Sequence, residues 1–168
     1  MSRIFGRMGG NEIADEVEHA VERLSRSSVG AIIAIERDVS LDEYVASGSK
    51  MEAKVSADLL TTIFTPHSPL HDGAVLIRGD TITGAACILP LSQATLADRS
   101  LGTRHRAALG LSEETDAIVI VVSEETATIT VAASGHLWRD FTARDVRELV
   151  AGRPLPRVSY QTGVIAHS

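Results

Sequence analysis

Two short stretches, residues 29–35 and 117–122, are built almost wholly from Val, Ile and Ala, and they constrain the fold more than any other feature. Each falls far short of the roughly 18 consecutive apolar residues a transmembrane helix requires. The first is bounded by Ser27-Ser28 and Glu36-Arg37. Short, apolar and bounded in this way, such runs read as strands buried in a sheet rather than as helices.

Helical patterns lie between the strands. Asn11, Glu12, Asp15 and Glu16 open the first, since a capping side chain and early carboxylates suit free N–H groups and the positive dipole end. Ile13, Val17, Val21 and Leu24 then give it one apolar stripe. Residues 57–64 read as a short helix ended by Pro66, and 103–109 as another. A last helix runs from a Thr142 cap to Val150, before Gly152, Pro154 and Pro156. The pair Gly79-Asp80 between runs 74–78 and 81–89 predicts a hairpin, and 126–132 is expected to pair with 117–122 across Ser123-Glu124-Glu125. Residues 39–56 and 90–102 read mostly as loop. The expected class is α/β: a single domain with a mixed central β-sheet flanked by helices.

The 168 residues, 44% of them hydrophobic, suffice for one core without a staple. The lone Cys87, within an apolar run, reads as a core residue and excludes a disulfide framework. Sixteen Lys plus Arg against 22 Asp plus Glu leave a net charge of −6, which disfavours nucleic-acid polymers as partners. Residues 1–10 lack the apolar core of a signal peptide, so the expected compartment is the cytoplasm. The only lysines, Lys50 and Lys54, stand in no phosphate-loop motif.

Three clusters carry chemistry. In the run Gly102-Thr103-Arg104-His105-Arg106, Thr103 looks like a helix cap, yet the first turn is cationic where the dipole prefers carboxylates. Free N–H groups, a hydroxyl and two guanidinium groups suit a phosphate, unless the arginines pair with surface carboxylates. The turn Pro66 to Ala74 holds His67, His71 and Asp72-Gly73. Pro69 between the histidines argues against a helical zinc pair, and Asp72 is either a turn residue or, with His71, a site for a divalent metal or proton chemistry. Ser123-Glu124-Glu125-Thr126 is either a solvated hairpin tip or a place for a metal-binding carboxylate at a strand end.

Taken in order, Asp72-Gly73-Ala74, Gly102 to Arg106 and Ser123 to Thr126 closely resemble the catalytic domain of diadenylate cyclases, which join two ATP molecules into cyclic di-AMP. The resemblance spans about Val17 to Val150 and is greatest to the membrane-anchored type, here without its transmembrane helices. It implies a linker at 1–10, a catalytic domain at 11–152 and a tail at 153–168, with the cytoplasmic face of a membrane as the location of an anchored form. It implies Asp72 as general base, Gly73 and Ala74 beside the nucleotide, and Leu89 in the adenine pocket. Thr103, Arg104, Arg106 and Ser123 are expected to cradle the triphosphate, with Arg104 and Arg106 acting in catalysis, Gly102 and Glu124 also binding the nucleotide, and His105 either touching a phosphate or supporting the loop. His71 and Glu125 are the implied ligands of a divalent metal, manganese or cobalt before magnesium. Ile88 stands where that type often carries an aromatic residue. The implied partners are ATP and a second copy of the chain, in a two-fold homodimer that sets two nucleotides face to face. The alternatives are a non-catalytic sensor of ATP or cyclic di-AMP, and a metal-dependent phosphohydrolase using His67, His71 and Asp72.

Overall fold

The computed structural model of the chain describes residues 8–96 and 98–157 and the backbone of 165–166. Residues 1–7 of the expected linker, and 158–164 and 167–168 of the expected tail, lie outside the described residues.

Helix α1 (Gly10–Arg26) buries Ala14, Val17, Ala20, Val21 and Leu24. It starts one residue before Asn11, and Glu12 is the residue that reaches back to accept from the Gly9 N–H. Strand β1 (Ala31–Ile35) follows, then a short helix α2 (Asp42–Val45) and strand β2 (Ser49–Lys54). Both lie in the segment expected to be loop. Helix α3 (Ala57–Phe64) is capped by the Ser56 hydroxyl, which accepts from the Leu59 N–H at 3.0 Å. Strands β3 (Ala74–Arg78) and β4 (Thr81–Cys87) form the expected hairpin. Strand β5 (Thr95–Leu96) interrupts the polar loop and pairs with β9 (Ile165–Ala166) in the tail.

Helix α4 spans Thr103–Glu114, five residues longer at its end than expected, and its N-cap is Gly102 rather than Thr103. Strand β6 (Ile118–Val122) pairs antiparallel with β7 (Ile129–Ala133). Thr126 and Thr128 belong to the turn between them, where their hydroxyls meet at 2.8 Å. Strand β8 (His136–Phe141) extends the sheet, and α5 (Ala143–Val150) closes the chain's fold under the expected Thr142 cap.

The seven-stranded sheet runs β2-β4-β3-β1-β6-β7-β8. Only β1 and β3 pair in parallel, so the sheet is mixed. Side chains alternate between two cores. Ile33, Val75, Ile77, Ile118 and Ile120 pack under α1, α3 and α5. Ile32, Ala34, Leu76, Val119 and Val121 pack under α2 and α4. Covering both faces is what makes the central strands apolar at every position.

One backbone contact fixes α4 against the loop that precedes it. A Cβ added at Gly110 would collide with the carbonyl of Pro90, so the helix passes the chain at a distance only glycine permits. Gly110 lies just beyond the point where the expected helix stopped. Arg106 secures the same loop, with its guanidinium donating to the carbonyls of Ala94 at 2.9 Å and Ser92 at 3.3 Å. Gly110→Ala should therefore destabilise the fold by about 2 kcal/mol or more, within the range for overpacking. Thermal unfolding will read this as a lower midpoint.

Candidate active site

The sheet register gathers the three motifs at one end of the sheet. Ala31 of β1 lies opposite Val122 of β6, and Ala74 of β3 opposite Cys87 of β4. Because β1 and β3 are parallel, their amino ends face the same way as the carboxyl ends of β4 and β6. A cavity of about 760 Å³ opens there. Asp72, Gly73, Leu89, Gly102, Thr103, Arg104, His105, Ser123, Glu124 and Glu125 all line it.

Each wall has a local cause. Asp72 is placed by Gly73, whose φ of 122° is closed to most side chains, and whose missing Cβ leaves room for the backbone of Ala86 and Cys87. At that point β4 carries a bulge, and Ala86 itself has a φ of 54°. At α4, no side chain caps the first N–H groups and no acidic residue stands in the first turn. The positive helix end thus faces the cavity unneutralised by its own turn. Arg104 spreads its guanidinium where any Cβ on Gly30 would collide with it, and Nη1 donates to Glu124 across 3.2 Å. The Ser123 hydroxyl accepts from the N–H groups of Glu125 and Thr126, both at 3.2 Å, and its proton is left for another acceptor. Leu89 and Leu101 are buried in the apolar part of the wall, whereas Ile88, 70% exposed, stands at the rim.

Three expected site residues are not on this wall. Ala74 is fully buried as the first residue of β3. Arg106 faces the 90–96 loop, with Nη1 donating to the carbonyls of Ser92 and Ala94. His71 lies outside the cavity lining, with Nδ1 donating to the Ser68 carbonyl at 2.7 Å. The motifs give no sign of Ile32, Cys87, Leu91, Ser100 or Arg139, which also line the wall. The sequence signal for Arg139 is the Ser134-Gly135 pair, a hairpin turn that leads into β8. Burial raises the Cys87 thiol to about 11, so it stays protonated.

The family model described as "DisA bacterial checkpoint controller nucleotide-binding" matches residues 18–137. The chain belongs to the DAC family. It is 44% identical over 154 residues to the diadenylate cyclase of Listeria monocytogenes, covering 88% of this chain and 56% of that protein. It is 41% identical over the same length to the cyclic di-AMP synthase CdaA of Bacillus subtilis, with the same coverage. The chain thus spans about half the length of these curated relatives. Among solved structures, it resembles a double-cysteine mutant of DacA from Staphylococcus aureus with a TM-score of 0.81 and 42% identity, covering 83% of this chain and 93% of that one. A hypothetical membrane spanning protein from Bacillus cereus gives a TM-score of 0.74 and 45% identity, covering 77% and 64%. Among the described residues, no helix is long and apolar enough to cross a membrane.

As a metal site, the DAC chain offers two donors of suitable chemistry. The Nδ1 bond of His71 leaves Nε2 free to ligate, and Glu125 sets a carboxylate on the cavity wall. Among the described residues, no group of three or more His, Cys, Asp or Glu gathers for a cation.

His105 is the site's most perturbed group. It is only 6% exposed, and Nε2 has no hydrogen-bond partner. Burial first, then the charge of Arg139, pushes its pKa down to about 4. Below about 6.5 the unfolded imidazole takes up a proton that the folded one refuses. The fold therefore loses stability as pH falls from about 6.5 toward 4, by up to about 3 kcal/mol relative to neutral pH. Thermal midpoints between pH 7 and pH 4.5 should fall less for His105→Gln than for the parent.

Proposed function

We propose that this chain is a diadenylate cyclase that condenses two ATP into cyclic di-AMP and releases two pyrophosphates. The observation that carries the reading is the convergence of Asp72, Thr103, Arg104 and Ser123 on one cavity in a DAC chain whose relatives bear that name. A carboxylate, an uncapped helix end with a guanidinium, and an apolar pocket around Leu89 and Leu101 match a hydroxyl nucleophile, a triphosphate and a purine.

In the mechanism, the 3′-oxygen of one ATP bonds to the α-phosphorus of the other. The bond to the bridging α,β-oxygen breaks, and pyrophosphate leaves with the electron pair. Asp72 orients the hydroxyl and takes its proton. Gly73 brings backbone close to the nucleotide, while Thr103, Arg104 and Ser123 hold the phosphates and balance charge on the leaving group. Glu124 must release Arg104 for this. A divalent cation held by His71, Glu125 and phosphate oxygens would neutralise the triphosphate. The nitrogen ligand favours manganese or cobalt over magnesium.

Incubation with ATP and manganese should yield cyclic di-AMP and pyrophosphate. An absence of product would favour a sensing domain, and ADP with free phosphate a phosphohydrolase. Asp72→Asn should bind ATP and cyclise it at least about a hundredfold more slowly, the scale of general-base catalysis.

One cavity accounts for one nucleotide, so the reaction needs two copies facing each other about a two-fold axis. If the pair is weak, the rate should rise with about the square of protein concentration and become linear once dimer saturates. Sedimentation should place its monomer–dimer transition in the same range. Strict proportionality where only monomer sediments would exclude the shared site.

A further inference from the structure

Arg139 lies outside the three motifs and beyond the residues 18–137 that define the family match. It follows Leu137 in the alternation of β8, and so sits on the α4 side of the sheet. Beside it β8 is bulged: Ile129 pairs with Phe141 and Val131 with Trp138, which leaves Arg139 and Asp140 together opposite Thr130. Asp140 takes the strained position, with φ of 60°. Bulges of this kind re-aim side chains beside sites.

Arg139 lines the cavity although its side chain is only 19% exposed. Nη1 pairs with Asp98, while Nε is buried without a hydrogen-bond partner. His105, whose buried Nε2 likewise has no hydrogen-bond partner, lines the same wall. Asp98 is held independently, accepting from the Ser100 N–H at 2.8 Å and its hydroxyl at 2.6 Å. Arg104 is in a like state, paired with Glu124. The cavity therefore holds two guanidinium groups, each resting on a carboxylate that an incoming anion can replace. A buried donor without a partner needs an explanation, and a phosphate oxygen supplies one, since guanidinium binds phosphate through paired N–H groups.

We propose that Arg139 is a phosphate-binding residue of this cavity, held by Asp98 until the polyphosphate of the bound nucleotide takes over the pairing. The inference rests on the nucleotide reading above and adds a second cation to the polyphosphate site, on the β8 side. Asp98 competes with the ligand, so removing its charge should help binding.

The test is calorimetric titration with 3′-deoxy-ATP, which lacks the nucleophile and cannot turn over, alongside the matching monophosphate. Arg139→Ala and Arg139→Gln should each weaken triphosphate binding about tenfold or more, with less than about a threefold effect on the monophosphate. Asp98→Asn should tighten triphosphate binding. If Arg139 serves only to tie the 98–101 turn to β8, Asp98→Asn will weaken binding as the Arg139 variants do, and the proposal falls. It also falls if the Arg139 variants, with unchanged melting, bind triphosphate like the parent. Failure of the parent itself to bind 3′-deoxy-ATP would instead overturn the cyclase reading.

Discussion

The site depends on the two different pairings made by one strand. Ile33 of β1 faces Val75 in parallel on one side and Ile120 in antiparallel on the other. That register alone brings the Asp72-Gly73 turn, which precedes β3, to the same end of the sheet as Ser123, which follows β6. A slip of one residue on either side would turn the apolar faces around and separate the two motifs. Parallel sheets usually present ligands at the carboxyl ends of their strands. Here the parallel pair presents its amino ends, because the antiparallel neighbours supply the carboxyl ends.

The cavity walls are then set by backbone proximity more than by large side chains. Gly73 lies against the β4 bulge, Gly110 against Pro90, and Arg104 over Gly30. The Gly110 contact fixes the loop that carries Leu89, and Arg106 ties down the same loop from the other side. Arg106, expected from its motif beside the phosphates, thus also contacts the loop that borders the apolar half of the pocket.

The legible parts of the fold were those with one apolar face or two. Helix α3 and the β3–β4 hairpin had clear boundaries in the sequence, as did the cap of α5. Strand β2 was hidden because in Ser49 to Lys54 the exposed charged residues Lys50, Glu52 and Lys54 alternate with only two half-buried apolar residues, Met51 and Ala53. Strand β8 was hidden by His136, Arg139 and Asp140, although Trp138 is buried and Ser134 and Gly135 both have the positive φ of a tight hairpin. The motif residues were legible as a group, since ten of them meet on one wall. The diverging directions of Arg104 and Arg106 were not, because their spacing of two on a helix leaves the loop contacts unspecified.

The concealment of β2 has a physical counterpart. It is an outermost strand of the sheet, paired among the described strands only with β4, and a strand of Val and Ile there would template the next molecule's sheet. Lys50, Glu52 and Lys54 instead point outward from it. Any copy stacking on that margin would have to dehydrate ammonium and carboxylate groups in alternation, so the sheet resists growing into ribbons however crowded the solution becomes.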